Sequence, residues 1–138
     1  MAKRMKYKIE SKHPDCGEAI DRQLHNIALW CADEALNSGV MTDSRSFIAL
    51  RVKRNWLDGK STDRELNHAV RNAKDARYFR DSKARDAASV AYEAAKPELT
   101  PTRVRKIINR ARMYTNWSIS RDEMKEQLSI MGRPELLA

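Results

Sequence analysis

The sequence predicts an all-α fold, a single-domain bundle of about six helices, and apolar spacing, punctuation and composition each point there. Apolar residues recur at i, i+3, i+4 and i+7 along most of the chain, the spacing that gathers them on one helix face. Four glycines and four prolines in 138 residues supply too little turn chemistry for a strand-rich domain. Hydrophobic residues at 41% and charged residues at 33% allow a packed core and argue against a disordered chain. The length suits one domain that needs neither metal nor disulfide to hold it.

From Gly17 to about Asn37, the residues Ile20, Leu24, Ile27, Ala28, Cys31 and Ala35 line one face of a first helix, started near Asp15 or Cys16 and stopped by Asn37-Ser38-Gly39. The second helix is expected over Asp43 to Asp58. There Ile48, Leu50 and Val52 alternate as in a strand, but a run of this length without Gly or Pro is too long for one. On a helical projection Ile48, Ala49, Val52 and Trp56 form one arc, and Phe47, Leu50 and Leu57 another. Two apolar arcs predict a central helix, with Trp56 buried.

Next comes Gly59-Lys60-Ser61, which resembles the end of a phosphate-binding loop. That loop requires a second glycine five residues earlier, where Arg54 stands, and a strand leading into it. The alternative uses every residue: Gly59 is the left-handed stop of the second helix, and Thr62 with Glu65 forms the capping box of the third. The third helix is expected from Asp63 to Phe79, with Leu66, Ala69, Val70, Ala73 and Ala76 inward. The fourth, Asp81 to Lys96, has a nearly all-alanine face of Ala84, Ala87, Ala88, Ala91 and Ala95, suited to close packing against the third. Pro97 ends it. Thr100-Pro101 starts the fifth, over 101–116, with Val104, Ile107, Ile108, Ala111 and Tyr114 as its stripe. A sixth runs from Ser120 or Arg121 to Met131 and stops at Gly132-Arg133-Pro134.

The net charge of +8 is localised. Residues 1–13 form a basic N-terminal arm ahead of a helical domain over 14–138, whose middle is neutral. The fifth helix and its flanks carry Arg103, Arg105, Lys106, Arg110 and Arg112, with no acid between residues 99 and 120. Arg103, Lys106 and Arg110 flank one side of its apolar stripe, and Arg105 and Arg112 the other. With Tyr114 and Trp117 after them, these cations form the candidate interface. They suit an acidic protein surface, or a phosphate backbone with base stacking, or a solvated face.

No catalytic constellation stands out, so no enzyme activity and no cofactor are expected. His13, His25 and His68 lack a nucleophile or carboxylate at motif spacing, and Asp33 and Glu34 point about 100° apart on a helix. Cys16 and Cys31 form no Cys-x-x-Cys pair. The longest uncharged apolar run, Ile27 to Ala32, is far shorter than a membrane span, and the N-terminus lacks the apolar core of a signal peptide; a cytoplasmic protein is expected.

Several of these residues together carry a family resemblance. Trp30, Ala32-Asp33 and Leu36 are followed by Asp43 and Arg45, by Trp56 and Gly59, by Glu65, and by Ala69, Ala73, Ala76-Arg77, Ala84, Ala87, Ala88 and Ala91. In this order they resemble the Imm-5-like immunity protein family over about residues 30–91. Beyond Tyr92 that family continues as a small-residue, histidine-containing helix, whereas this chain has the basic TPTRVRKIINRARMYTNW. The resemblance implies a helical fold and action as an immunity or inhibitor protein that neutralises a toxin or defence effector by direct binding. The basic helix and arm keep open the alternative of a phage-type or bacterial nucleic-acid-binding protein.

Overall fold

The structure, a computed structural model, describes residues 21–137. Among them are six helices and no strand: α1 (Arg22–Leu36), α2 (Ser44–Leu57), α3 (Asp63–Asp75), α4 (Ser82–Ala95), α5 (Pro101–Tyr114) and α6 (Arg121–Ile130), followed by a 3-10 turn over Pro134–Leu137. They form the all-α bundle that the apolar spacing predicts. None of these helices is long and apolar enough to cross a membrane.

Local chemistry sets most boundaries. The Thr62 hydroxyl accepts from the Glu65 backbone N–H at 3.1 Å, and the Glu65 carboxylate accepts from the Thr62 N–H at 2.7 Å, completing the expected capping box. Ser120 and Glu123 repeat the device at α6. Thr100 caps α5 through the Arg103 N–H, with Pro101 in the first turn, where no N–H is required. Asp21 caps α1 by accepting from Leu24 N–H at 3.1 Å. α1 therefore starts at Arg22 and not near Asp15 or Cys16, because Asp21 is extended and its carboxylate supplies the cap, which interrupts the helical run expected from Gly17; Asp15, Cys16, His13 and the basic arm lie outside the described residues.

At the end of α2, Gly59 has φ +78°, its N–H donates to Trp56 O at 3.1 Å, and the Lys60 N–H donates to Asn55 O at 2.7 Å. These two bonds make a Schellman stop. Lys60 is therefore the residue after a helix stop, with its backbone N–H already used. A Cβ on Gly59 would meet nothing within 4 Å, so only the backbone conformation penalises a side chain. Gly59→Ala is expected to lose about 1 to 2 kcal/mol, the cost of a left-handed L-residue. Urea denaturation checks this, and calorimetry with ATP before and after Lys60→Ala should record no saturable binding in either protein.

The packing differs from expectation at the centre. α4, not α2, is the helix that touches the most neighbours, lying against α1, α2, α3 and α5. Its Ala84, Ala87, Ala88, Ala91, Ala94 and Ala95, with Val90, are all buried. Small side chains nearly all round it let four helices approach one axis. α3 accordingly packs chiefly on α2, and only secondarily on α4.

The two arcs expected on α2 are the flanks of one face. Ala49, Leu50, Trp56 and Leu57 are buried, whereas Phe47 and Ile48 are exposed at 37% and 40%. At the centre of that face is Lys53, with no exposed surface. Its Nζ donates to Ala94 O at 3.0 Å and to Lys96 O at 2.6 Å, the carbonyls left open at the end of α4.

Besides α1, two helices are shorter than expected. α3 ends at Asp75 instead of Phe79, because the chain must turn for Phe79 to fold back on Ala84, Ala88 and Val40; Tyr78 stacks on it at 4.6 Å. α5 ends at Tyr114 because Thr115 is extended and its hydroxyl accepts from the Trp117 N–H. Beyond α6, Gly132 repeats the left-handed stop, and Leu136 and Leu137 return to the core. Arg133 joins the ends of the described fold, its Nη1 2.6 Å from the Asp21 carboxylate and its Nε 2.7 Å from Glu135.

Candidate binding groove

α4 and α5 are joined by the short connection at 96–100 and run antiparallel, so that Asp86 stands opposite Arg110. Between them is an open groove of about 470 Å³. Val90 and Ile107 form its floor, and α5 sends Arg103, Lys106 and Arg110 into it from successive turns. Tyr114 closes one end. α4 supplies Glu93 and, just past its last turn, Lys96.

The cations differ in what they already hold. Lys96 Nζ is 3.3 Å from the Glu93 carboxylate and 4.6 Å from the centre of the Tyr92 ring, which also carries the Arg77 guanidinium at 4.5 Å. Arg110 Nε is 3.7 Å from the Asp86 carboxylate. Arg103 and Lys106 make no ion pair among the described residues, so their charge is available to a ligand. Tyr114 is 56% exposed and Met113 beside it 62%, an apolar end on a basic groove. From behind, Lys53 Nζ donates to the Lys96 carbonyl and holds that rim in place. Burial lowers the Lys53 pKa well below its ordinary value.

Of the residues singled out from the sequence, the fold brings Arg103, Lys106, Arg110 and Tyr114 into this groove and leaves three outside it. Arg105 is on the side of the 3-10 turn, near Glu135, whose carboxyl is held below its usual range first by the hydrogen bond from Arg133 and more weakly by the charge of Arg105. Arg112 is half-buried, and its Nε has no hydrogen-bond partner among the described residues. Trp117 packs edge-on against Trp30, with ring centres 5.1 Å apart, in a separate cleft lined by Glu34, Glu123 and Glu126. Its surroundings are acidic, opposite to those of the basic stripe.

Sequence reasoning missed the α4 wall. Asp86, Val90 and Glu93 recur at helical spacing just before a short connection, a pattern that places them opposite Arg110, Ile107 and Arg103 once α4 and α5 are taken as an antiparallel pair. Lys53 had no comparable signal except its place in the buried series Ala49, Leu50, Lys53, Trp56 and Leu57.

His25, His68, Cys31, Asp33 and Glu34 do not line this groove. His25 is buried within α1, and the His68 ring nitrogen is 3.3 Å from the Asn72 side-chain amide on the exposed face of α3. Burial, with a smaller contribution from Glu34, raises the Cys31 thiol pKa far above neutrality and keeps it protonated. Asp33 pairs with Arg54, whereas Glu34 lines the tryptophan cleft, so the two adjacent acids serve different places. No family model, no curated protein and no solved structure matches the chain.

Proposed function

We propose that the protein acts without catalysis, as an immunity or inhibitor protein that neutralises a toxin or defence effector by binding an acidic surface of it in the α4/α5 groove. The observation that carries this reading is the pair Arg103 and Lys106, unpaired among the described residues and set in a groove that ends in an exposed aromatic. Such a site combines charge for steering an anionic partner with an apolar anchor for holding it. The resemblance of residues 30–91 to Imm-5-like immunity proteins supports the same class of action.

A nucleic-acid partner is the second reading, favoured by the exposed Tyr114 ring beside Arg110, which suits base stacking next to a phosphate. Capture from the native cell, with and without nuclease, separates the two. A stoichiometric protein that survives nuclease, and is lost with the double variant Arg103→Glu, Lys106→Glu, is the expected result. Oligonucleotides should bind only weakly, no tighter than about 1 μM at physiological salt, the non-specific range. Sequence-selective binding tighter than about 10 nM would reject the inhibitor reading. So would a slope of log affinity against log salt that falls by about 0.7 to 0.9 for each of the two cations removed, if that binding were also the tighter one.

A further inference from the structure

We infer that the groove takes an acidic helix of the partner protein, one with two carboxylates a turn apart and an apolar side chain about two turns beyond them. This rests on the binding reading above and adds the chemistry of the partner. Arg103 and Lys106 stand three residues apart on α5 and both face the groove. Such neighbours are about 5 to 6 Å apart, which matches carboxylates at i and i+3 or i and i+4 of a second helix. Tyr114 is eight residues beyond Lys106, so at 1.5 Å per residue it is about 12 Å further along the axis. A helix laid along α5 reaches Tyr114 and Met113 with an apolar residue some two turns past its second acid.

The α4 wall decides between this occupant and a polyphosphate strand. Glu93 lines the groove opposite Arg103 and Lys106, and Asp86 holds Arg110 at the far part of it. Each of these carboxylates already holds a cation of the groove, Glu93 with Lys96 and Asp86 with Arg110, so a phosphate backbone charged at every repeat would meet only Arg103 and Lys106 unpaired among the described residues and would have to compete with the two acids for the other cations. A helix keeps its acids on one stripe, meets Arg103 and Lys106 with them, and turns an uncharged flank toward α4.

Fluorescence anisotropy on the full-length chain at about 150 mM salt tests this with three probes. They are an alanine-rich helical peptide with two glutamates three residues apart and a leucine about eight residues on, the same peptide with glutamines, and a thymidine oligonucleotide of similar length. The acidic peptide is expected to bind about tenfold or more tightly than its glutamine version, and Arg103→Glu with Lys106→Glu should erase that advantage. Tyr114→Ala should weaken both peptides alike, and Glu93→Gln should tighten the oligonucleotide while leaving the acidic peptide nearly unchanged. Equal binding of the two peptides, or an oligonucleotide that binds more tightly than the acidic peptide, overturns the inference. If the acidic peptide shows no advantage while capture of the native protein partner still depends on Arg103 and Lys106, the acidic helix is refuted and the inhibitor reading stands. Failure of the native capture sinks the inhibitor reading by itself, because no peptide enters that measurement.

Discussion

Trp56→Ala is expected to lower the free energy of unfolding by about 3 to 5 kcal/mol, the range for deleting a core aromatic. The indole is 2% exposed at the junction of α2 and α3, and its Nε1 donates to the Asp63 carboxylate at 2.8 Å. Asp63 opens the first turn of α3, where a carboxylate is favoured by the helix dipole. Removing the ring therefore leaves a cavity and takes a partner from that carboxylate at the same point. Trp56→Phe separates the two effects, since it keeps most of the volume and gives up the hydrogen bond, a loss of about 1 to 2 kcal/mol. Urea titration of both variants checks the ordering. A loss below about 1 kcal/mol for Trp56→Ala would place the ring outside the cooperative core.

Lys53→Ala is expected to cost a similar amount, about 3 to 5 kcal/mol, from a buried cavity plus two helix-end carbonyls without their donor. Lys53→Met fills the space and isolates the second contribution, about 1 to 2 kcal/mol at a pH above the unfolded pKa, where the amine is unprotonated in both states. The pH dependence identifies the amine. Burial lowers its folded pKa well below the ordinary 10.5, so as pH falls from that value the unfolded chain takes up a proton that the folded protein resists. Stability from this group is therefore greatest above the unfolded value and declines as pH falls toward the folded one. Between them the wild type should gain on Lys53→Met by up to about 1.4 kcal/mol per pH unit of increase. Parallel stability curves for the two proteins across the alkaline range would show that the amine titrates alike in both states.

The helices were legible in the sequence where one residue and its near neighbours decide the outcome. Asp43, Thr62 with Glu65, Thr100-Pro101, Ser120 with Glu123, and the stops at Gly59 and Gly132 all act within a turn or two, and all appear where the residues place them. What depends on distant neighbours was less legible. Lys53 is buried because the open end of α4 lies against it, and nothing within α2 reveals that end. Phe79 leaves the helical path for contacts made with Ala84, Ala88 and Val40. Leu136 and Leu137 follow a terminator, where a frayed tail is the usual reading, yet they close the core. For the groove, the basic residues of α5 could be sorted by face, whereas the acids opposite them and the separate place of Trp117 required the packing of α4, α1 and α6.

The alanines of α4 have a further consequence for how this chain tolerates change. In most cores the harmful substitutions remove volume, because bulky residues occupy the centre and truncation leaves a hole. Here the axis shared by four neighbours is already built from the smallest apolar side chain, and deletion can take only a methyl group, about 1 kcal/mol for alanine to glycine within a helix. Addition is the greater hazard. Each methylene placed at Ala87, Ala91 or Ala94 must push outward against rigidly packed surroundings, so one enlarged side chain disturbs several inter-helix spacings together. The bundle is thus held to its size from the inside: sequence drift can remodel the outer helices and the groove they form, while the pole between them admits almost no growth.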